Sequence, residues 1–274
     1  MWILMKDIFK EINEAEAILI GAGSGLSTAA GIDYAGLRFK TEFKLFIEKY
    51  GFTDLYTSSF YNFETQEEYW AYWAKHIDFA NLGREGTELY KNIYEVVKNK
   101  NYFVITTNVD DQFYKTGFDE NKIFRVQGSY RYIQCSKGCH NKLYDDKEMV
   151  KKMVDSIDEN LKVPKELVPV CPVCGENMEP NLRKDAYFVQ DDLWYKQNEA
   201  YEKFISDNKD KKVLLLEFGV GFNTPGIIRF PFEQLIVQNN RWKLIRFNKD
   251  CRTFYDIEEK FIPVEDDISN IFKN

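Results

Sequence analysis

The stretch "EAEAILIGAGSGLSTAAG", residues 14–31, decides the fold. Ala17–Ile20 is a short, continuous apolar run. Glycines follow at 21, 23 and 25, and then a series of small residues. Such a run bounded by glycines reads as a buried strand, a tight turn and the start of a helix. Ser24 or Ser27 is available near the first helical turn. Strand, glycine turn and helix together open a doubly wound α/β sheet. Glycines at that turn serve either of two ends. They let backbone N–H groups approach a phosphate at a helix N-terminus, or they let a helix pack closely on a sheet. This stretch alone leaves both readings open.

The rest of the chain continues the alternation. "NYFVITTNVD" is a second strand ending in polar residues, and "KIFRVQG" is a third. "AYFVQ" reads as a strand and "DDLWYKQNEAYEKFISDN" as a helix. "KKVLLLEFG" is the plainest buried parallel strand, and "RWKLIRFN" is another. From about residue 37 to 98 the chain is aromatic-rich and helix-like, too long for one crossover helix, which predicts an inserted helical layer. The expected architecture is α/β, a doubly wound Rossmann-like parallel sheet with a helical layer and a small inserted zinc-ribbon module. Residues 1–128 and 183–274 form the sheet domain and 129–182 the module.

With 274 residues, 44% hydrophobic and 16% aromatic, the chain can bury a substantial core. A net charge of −7 argues against general affinity for nucleic acid or an anionic membrane surface. The N-terminus has no basic segment before its apolar start and no small-residue cleavage site, and no run reaches the ~18 apolar residues a membrane span needs. A soluble, cytoplasmic protein is the expectation.

Cys135 and Cys139 are spaced C-x3-C, and Cys171 and Cys174 lie in "CPVCG". Two close pairs on separate turns suit a four-thiolate structural zinc site better than disulfides. His140, beside Cys139, reads as a solvent-facing residue, because four thiolates already fill the shell. Cys251 reads as an ordinary core thiol.

In an open α/β sheet, ligands sit outside the carboxyl ends of the strands. Three polar or glycine-rich strand exits therefore belong together. "TTNVDDQF" offers Thr107, Asn108 and Asp110, an amide and a carboxylate able to bind or orient ribose hydroxyls. The competing reading makes them turn residues capping the next helix. "EFGVGFNTPG" offers Gly219, Val220, Gly221 and Asn223, and "RFN" ends at Asn248. Arg229 in "IIRFPFE" is either a surface residue or a contact for an acidic acceptor or phosphate.

In this order, "GAGSGLSTAAGI", "TTNVDDQFYKTG", "VQGS", the two cysteine pairs and "FGVGFNTPG" resemble the sirtuins, which are NAD-consuming enzymes. The resemblance spans about residues 15–250. It implies NAD as co-substrate and one structural Zn2+. By the same carry-over, Gly21, Ala22 and Gly23 would contact phosphate. Asn108 and Asp110 would lie at the nicotinamide ribose, and Gly219 and Asn248 on the adenosine side.

The sequence also departs from the deacylating members. "GIDYAG" follows the glycine turn where they read G-I-P-D-F-R, and the turn carries two extra residues. Their catalytic histidine falls on Gln127, and the only histidines are His76 and His140. A primary amide cannot serve as a general base, and losing one costs roughly 10²–10⁴ in rate. Gln127 can still orient ribose hydroxyls while ADP-ribose passes to another nucleophile. With this substitution the chain is most similar to the microbial macrodomain-linked sirtuins. That resemblance implies an ADP-ribosyltransferase acting on a lipoylated, glycine-cleavage-type carrier protein, with a partner macrodomain hydrolase reversing the mark. The alternatives are an NAD glycohydrolase, a nucleotide-binding module that has lost its chemistry, and a weak deacylase.

Overall fold

The computed structural model describes residues 2–273, with side chains from residue 6 onward. In chain order its strands are β1 (Ala17–Ala22), β2 (Asn101–Thr106), β3 (Ile123–Arg125), β4 (Gly128–Cys135), β5 (Tyr144–Asp145), β6 (Met178–Leu182), β7 (Val213–Phe218), β8 (Lys243–Phe247) and β9 (Phe261–Val264). The chain divides into two compact units. One comprises Met1–Gly31, Gly86–Gln127 and Asp192–Asn274; the other comprises Ile32–Glu85 and Gly128–Asp191.

The first unit is built on a six-stranded parallel sheet of order β3-β2-β1-β7-β8-β9. β1 is buried along its whole length, and its residues alternate between two apolar layers. Ile18, Ile20 and Ala22 face a cluster with Ile8, Leu26, Tyr90, Ile93 and Val97. Ala17 and Leu19 face Phe204, Phe232 and Ile236 on the opposite side. Helices therefore cover both faces, as the doubly wound expectation requires. The chain runs outward from β1 to β3 on one side and from β7 to β9 on the other, so the topological switch lies between β1 and β7.

The plainest strand carries a charge. Glu217 of β7 is in register with Arg246 of β8, and their side chains pair at 2.7 and 3.0 Å. Arg246 also reaches Glu233 at 2.8 Å, and Glu233 accepts the Phe254 amide at 2.7 Å. Glu217, Glu233, Arg246 and Arg229 are all fully buried. Two carboxylates thus face two guanidinium groups in the interior. Arg246→Ala is expected to destabilise the protein by roughly 3–5 kcal/mol, because it strands two buried carboxylates. Urea unfolding checks this, and a midpoint equal to wild type would remove the pair from the account of stability.

The second unit combines a layer of short helices with an antiparallel sheet of order β5-β4-β6. Gln66–Ile77 is its longest helix; Thr65 caps it by accepting the Glu68 amide at 3.3 Å. Phe39, Phe43, Trp70, Tyr72 and Phe79 are fully buried, so these aromatics form core. The layer expected over about 37–98 is divided, since the helix Glu88–Val97 belongs to the first unit and lies on the parallel sheet.

"AYFVQ" is not a strand. The strand there is β6, and 183–190 form turns and irregular chain. Side-chain amides satisfy that backbone. Gln134 donates to Tyr187 O at 3.0 Å and accepts the Val189 amide at 2.9 Å, and Asn181 donates to Val189 O at 3.1 Å. Among the described residues no helix is long and apolar enough to cross a membrane.

Candidate functional site

The carboxyl ends of β1, β2, β7 and β8 are tied together by hydrogen bonds. Gly23 and Gly25 donate their amides to Phe218 O and Gly219 O, both at 2.9 Å. Gly219 donates to Phe247 O at 2.9 Å, and Asn248 Nδ2 donates to Val220 O at 2.7 Å. Thr107 donates from its amide to Ala22 O at 3.0 Å. The glycines permit this interlock. A Cβ on Gly23 would lie 2.8 Å from Gly219 O, and one on Gly219, where φ is +59°, would lie 2.4 Å from Leu26 N.

The close-packing reading of the glycine turn is therefore seen directly. At Gly21 the reason is packing, because its Cβ direction is filled by Ile228 and Phe232 at 2.6 Å. Ser24 and Ser27 do not cap the following helix; its N-cap is Gly23, with no side-chain cap. Gly221 and Asn223 lie on the exposed loop after β7, and no atom would crowd a Cβ at 221.

Asn108 and Asp110 are buried beyond the end of β2, in a network with Ser27 and Tyr90. Asn108 Nδ2 donates to Gly23 O at 3.0 Å and to Tyr90 Oη at 3.2 Å. Ser27 Oγ donates to Asp110 Oδ2 at 2.5 Å and lies 3.0 Å from Tyr90 Oη. The Gln112 amide donates to Asp110 Oδ1 at 3.1 Å. Burial pushes the Asp110 carboxyl up to about 6, against the opposing bonds from Ser27 and Gln112. The turn reading of "TTNVDDQF" is seen directly, since Asp110 accepts the amide of Gln112, the first residue of the helix Gln112–Lys115, and the same carboxylate sits in a buried polar network.

Gln127 is half-buried in the turn after β3. Its neighbour Val126 is pinned, donating to Thr106 O and accepting the Trp194 indole N–H, both at 3.1 Å. Arg125, at the end of β3, pairs with Asp111 at 3.2 Å, which links the β2 and β3 exits. Asp111 has a left-handed backbone, φ 56°, a conformation that costs of order 1 kcal/mol or more for a residue with a side chain.

Arg229 is neither a surface residue nor an open contact. It is fully buried and donates to Val220 O, Asp250 O and Arg252 O at 3.2, 2.7 and 2.8 Å, with its guanidinium 4.2 Å from the centre of the Phe222 ring. The Pro-containing stretch around it gave no sign of burial, because a lone arginine in sequence looks exposed.

In the second unit, the sulfurs of Cys135, Cys139, Cys171 and Cys174 lie within 4.8 Å of one another, with 135–174 and 139–171 separations of 3.6 Å. Four thiolates about 2.3 Å from a tetrahedral zinc would stand about 3.8 Å apart, so the cluster fits a closed structural zinc site. His140 is not simply solvent-facing. Its Nδ1 lies 3.0 Å from Cys139 Sγ and its Nε2 3.0 Å from Tyr144 Oη. His76 is buried, with its nitrogens 3.0 and 2.9 Å from the Tyr72 and Tyr130 hydroxyls, and burial lowers it to about 3. It is a neutral core group. Cys251 is buried, as expected for a core thiol.

The sheet, the site at its switch point and the four-cysteine cluster define a doubly wound α/β protein carrying a zinc-binding module. Residues 23–210 match the Sir2 family. A protein ADP-ribosyltransferase of Staphylococcus aureus (strain Mu50) is 35% identical over 95% of this chain and 83% of its own. A probable bifunctional ADP-ribose hydrolase/ADP-ribosyltransferase of Fusarium oxysporum f. sp. cubense is 32% identical over 86% of this chain. That alignment covers only 40% of the fungal protein's length. The crystal structure of a Sir2 homologue–NAD complex shares the fold, with a TM-score of 0.58 and 15% identity over 97% of this chain and 90% of that one. This chain belongs to the Sir2 family.

Proposed function

We propose that this protein is an NAD-dependent protein ADP-ribosyltransferase that transfers ADP-ribose to a lipoylated, glycine-cleavage-type carrier protein and releases nicotinamide. The observation that carries the transferase reading is the 35% identity, over almost the whole chain, to a protein named for that activity. Gln127 fits it. The bond from the ribose C1′ to nicotinamide breaks and a bond from C1′ to the acceptor forms, so no base need activate a ribose hydroxyl. In this reading Asn108, Asp110 and Gln127 hold the nicotinamide ribose. Gly23, Thr107, Gly219, Val220, Gly221, Asn223 and Asn248 line the way to the adenosine.

The carrier as acceptor rests on the resemblance to macrodomain-linked sirtuins. The reversing partner has added support from the ADP-ribose hydrolase named with the transferase in the fungal relative. The test is incubation of the protein with labelled NAD, with and without the lipoylated carrier, following protein-bound label and free nicotinamide. Label should appear on the carrier and fall by roughly 10²-fold or more in Asn108→Ala. Free ADP-ribose without protein label would replace the transferase with a glycohydrolase, and label on another protein would replace the acceptor.

A further inference from the structure

We infer that Tyr90 is a positioning residue of this site: its hydroxyl fixes the amide orientation of Asn108 and joins it to Asp110 through Ser27. The inference rests on the transferase reading for its consequence in activity. The geometry stands on four residues of one unit. Tyr90 lies on the helix Glu88–Val97, is fully buried, and packs edge-on against Phe113 with ring centres 4.9 Å apart. A phenol buried this deeply needs partners for its hydroxyl, and it has two, Asn108 Nδ2 and Ser27 Oγ.

The direction of each bond follows from what each atom can do. Gly23 O can only accept, so the Asn108 atom 3.0 Å away is the amide nitrogen. The second proton of that nitrogen goes to Tyr90 Oη at 3.2 Å. With Asp110 ionised, Ser27 spends its proton on the carboxylate, so the proton shared between Ser27 and Tyr90 comes from tyrosine. The chain therefore runs from Asn108 N–H to Tyr90, from Tyr90 O–H to Ser27, and from Ser27 O–H to Asp110.

Both amide protons of Asn108 are engaged, and among the described residues no donor meets its Oδ1. The group presented to a ligand is an acceptor, suited to a ribose hydroxyl. Without the tyrosine hydroxyl, only Gly23 O opposes a flip that would present the amino group instead. Tyr90 sits one helical turn from Ile93 and two from Val97 on the buried face, so in sequence it reads as core aromatic.

The test compares Tyr90→Phe with the wild-type chain. The Asn108 side-chain amide signals, identified by their loss in Asn108→Ala, should shift and lose protection from solvent exchange in Tyr90→Phe. ADP-ribosyl transfer should fall on the order of 10²-fold, mainly in kcat, as for a misplaced reacting geometry. Ser27→Ala separates the two links, leaving the Asn108–Tyr90 bond in place and removing only the connection to Asp110. Unmoved Asn108 signals, or transfer within twofold of wild type at an unchanged melting temperature, overturn the inference. If wild type leaves NAD intact while the Asn108 signals still move in Tyr90→Phe, the transferase reading fails and the orienting role of Tyr90 is upheld.

Discussion

Cys171→Ser is expected to abolish cooperative folding of the unit formed by Ile32–Glu85 and Gly128–Asp191, and so to lower the zinc content of the purified chain from one ion to a fraction. Cys171 is buried, and its sulfur stands 3.6 Å from that of Cys139 on the other turn. Each turn is built to bring two sulfurs to one point. Gly138 and Gly175 hold left-handed backbones at φ 55° and 75°. They donate their amides to Cys135 O and Cys171 O, each at 2.9 Å. Such turns place four thiolates together only if a cation offsets their mutual repulsion.

A structural zinc in a small domain contributes roughly 10–16 kcal/mol of apparent binding free energy to folding. That is of the same size as the roughly 5–15 kcal/mol by which a typical domain is stable, so losing it removes most of the margin that holds the unit folded. A chelator should act like the substitution, and acid should act like the chelator, because thiolates must be deprotonated to bind metal. Metal analysis with thermal unfolding followed by circular dichroism checks all three. A serine variant that melts with wild type, or chelation that leaves the fold intact, would show that the knuckles are held by the protein alone.

How far the sequence revealed this molecule depended on whether a segment's partners were local or distant. β1, β2 and β7 were legible because both faces of a central parallel strand are covered, which leaves a continuous apolar run. The edge strand β9 was not. It spans four residues, includes Pro263 and is only partly buried, all features of an edge position. β4 was hidden for another reason. "GSYRYIQC" is polar because its neighbours supply amide and imidazole partners, as Asn181 does for Gln134 and His76 for Tyr130.

The cysteine cluster was legible because metal-ligand spacing is a local pattern. Asn108 and Asp110 were legible as polar residues at a strand exit. Their support was not, since Ser27 is 83 residues from Asp110 and Tyr90 is 18 from Asn108. The same holds for Arg229, whose partners lie on the two loops after β7 and β8, and for the Glu217–Arg246 pair. A glutamate within "LLLEFG" and an arginine within "KLIRF" were the available signal, and it becomes meaningful only once the two strands are seen in register.

Asp110→Asn is expected to change stability and activity in opposite directions. Burial raises the Asp110 carboxyl from 3.8 to about 6, so the folded protein favours its protonated form more than the unfolded chain does. The sign follows from linkage. That preference stabilises the fold fully below pH 4, and the stabilisation is lost as pH rises through 6. At pH 7.5 the wild-type fold therefore carries an ionised, buried carboxylate at a cost of roughly 3 kcal/mol, taking 1.36 kcal/mol per pH unit of difference. Asparagine has no charge to bury and retains an oxygen for the Gln112 amide, so the variant should melt higher than wild type at pH 7.5 and no higher at pH 4. Activity should move the other way. Loss of the carboxylate removes the terminus of the chain from Asn108 through Tyr90 and Ser27, and with it the negative charge at that end. Transfer of label from NAD should fall by roughly 10²–10³-fold, the scale for losing one preorganised electrostatic group. In wild type the rate should rise with pH through about 6 and then level, whereas the residual rate of Asp110→Asn should show no such limb. Melting curves at the two pH values and a pH–rate profile of each protein decide the matter. A variant that is less stable at pH 7.5, or that keeps the acid limb, would mean that a different group titrates and that Asp110 is not held at a cost for the sake of the reaction.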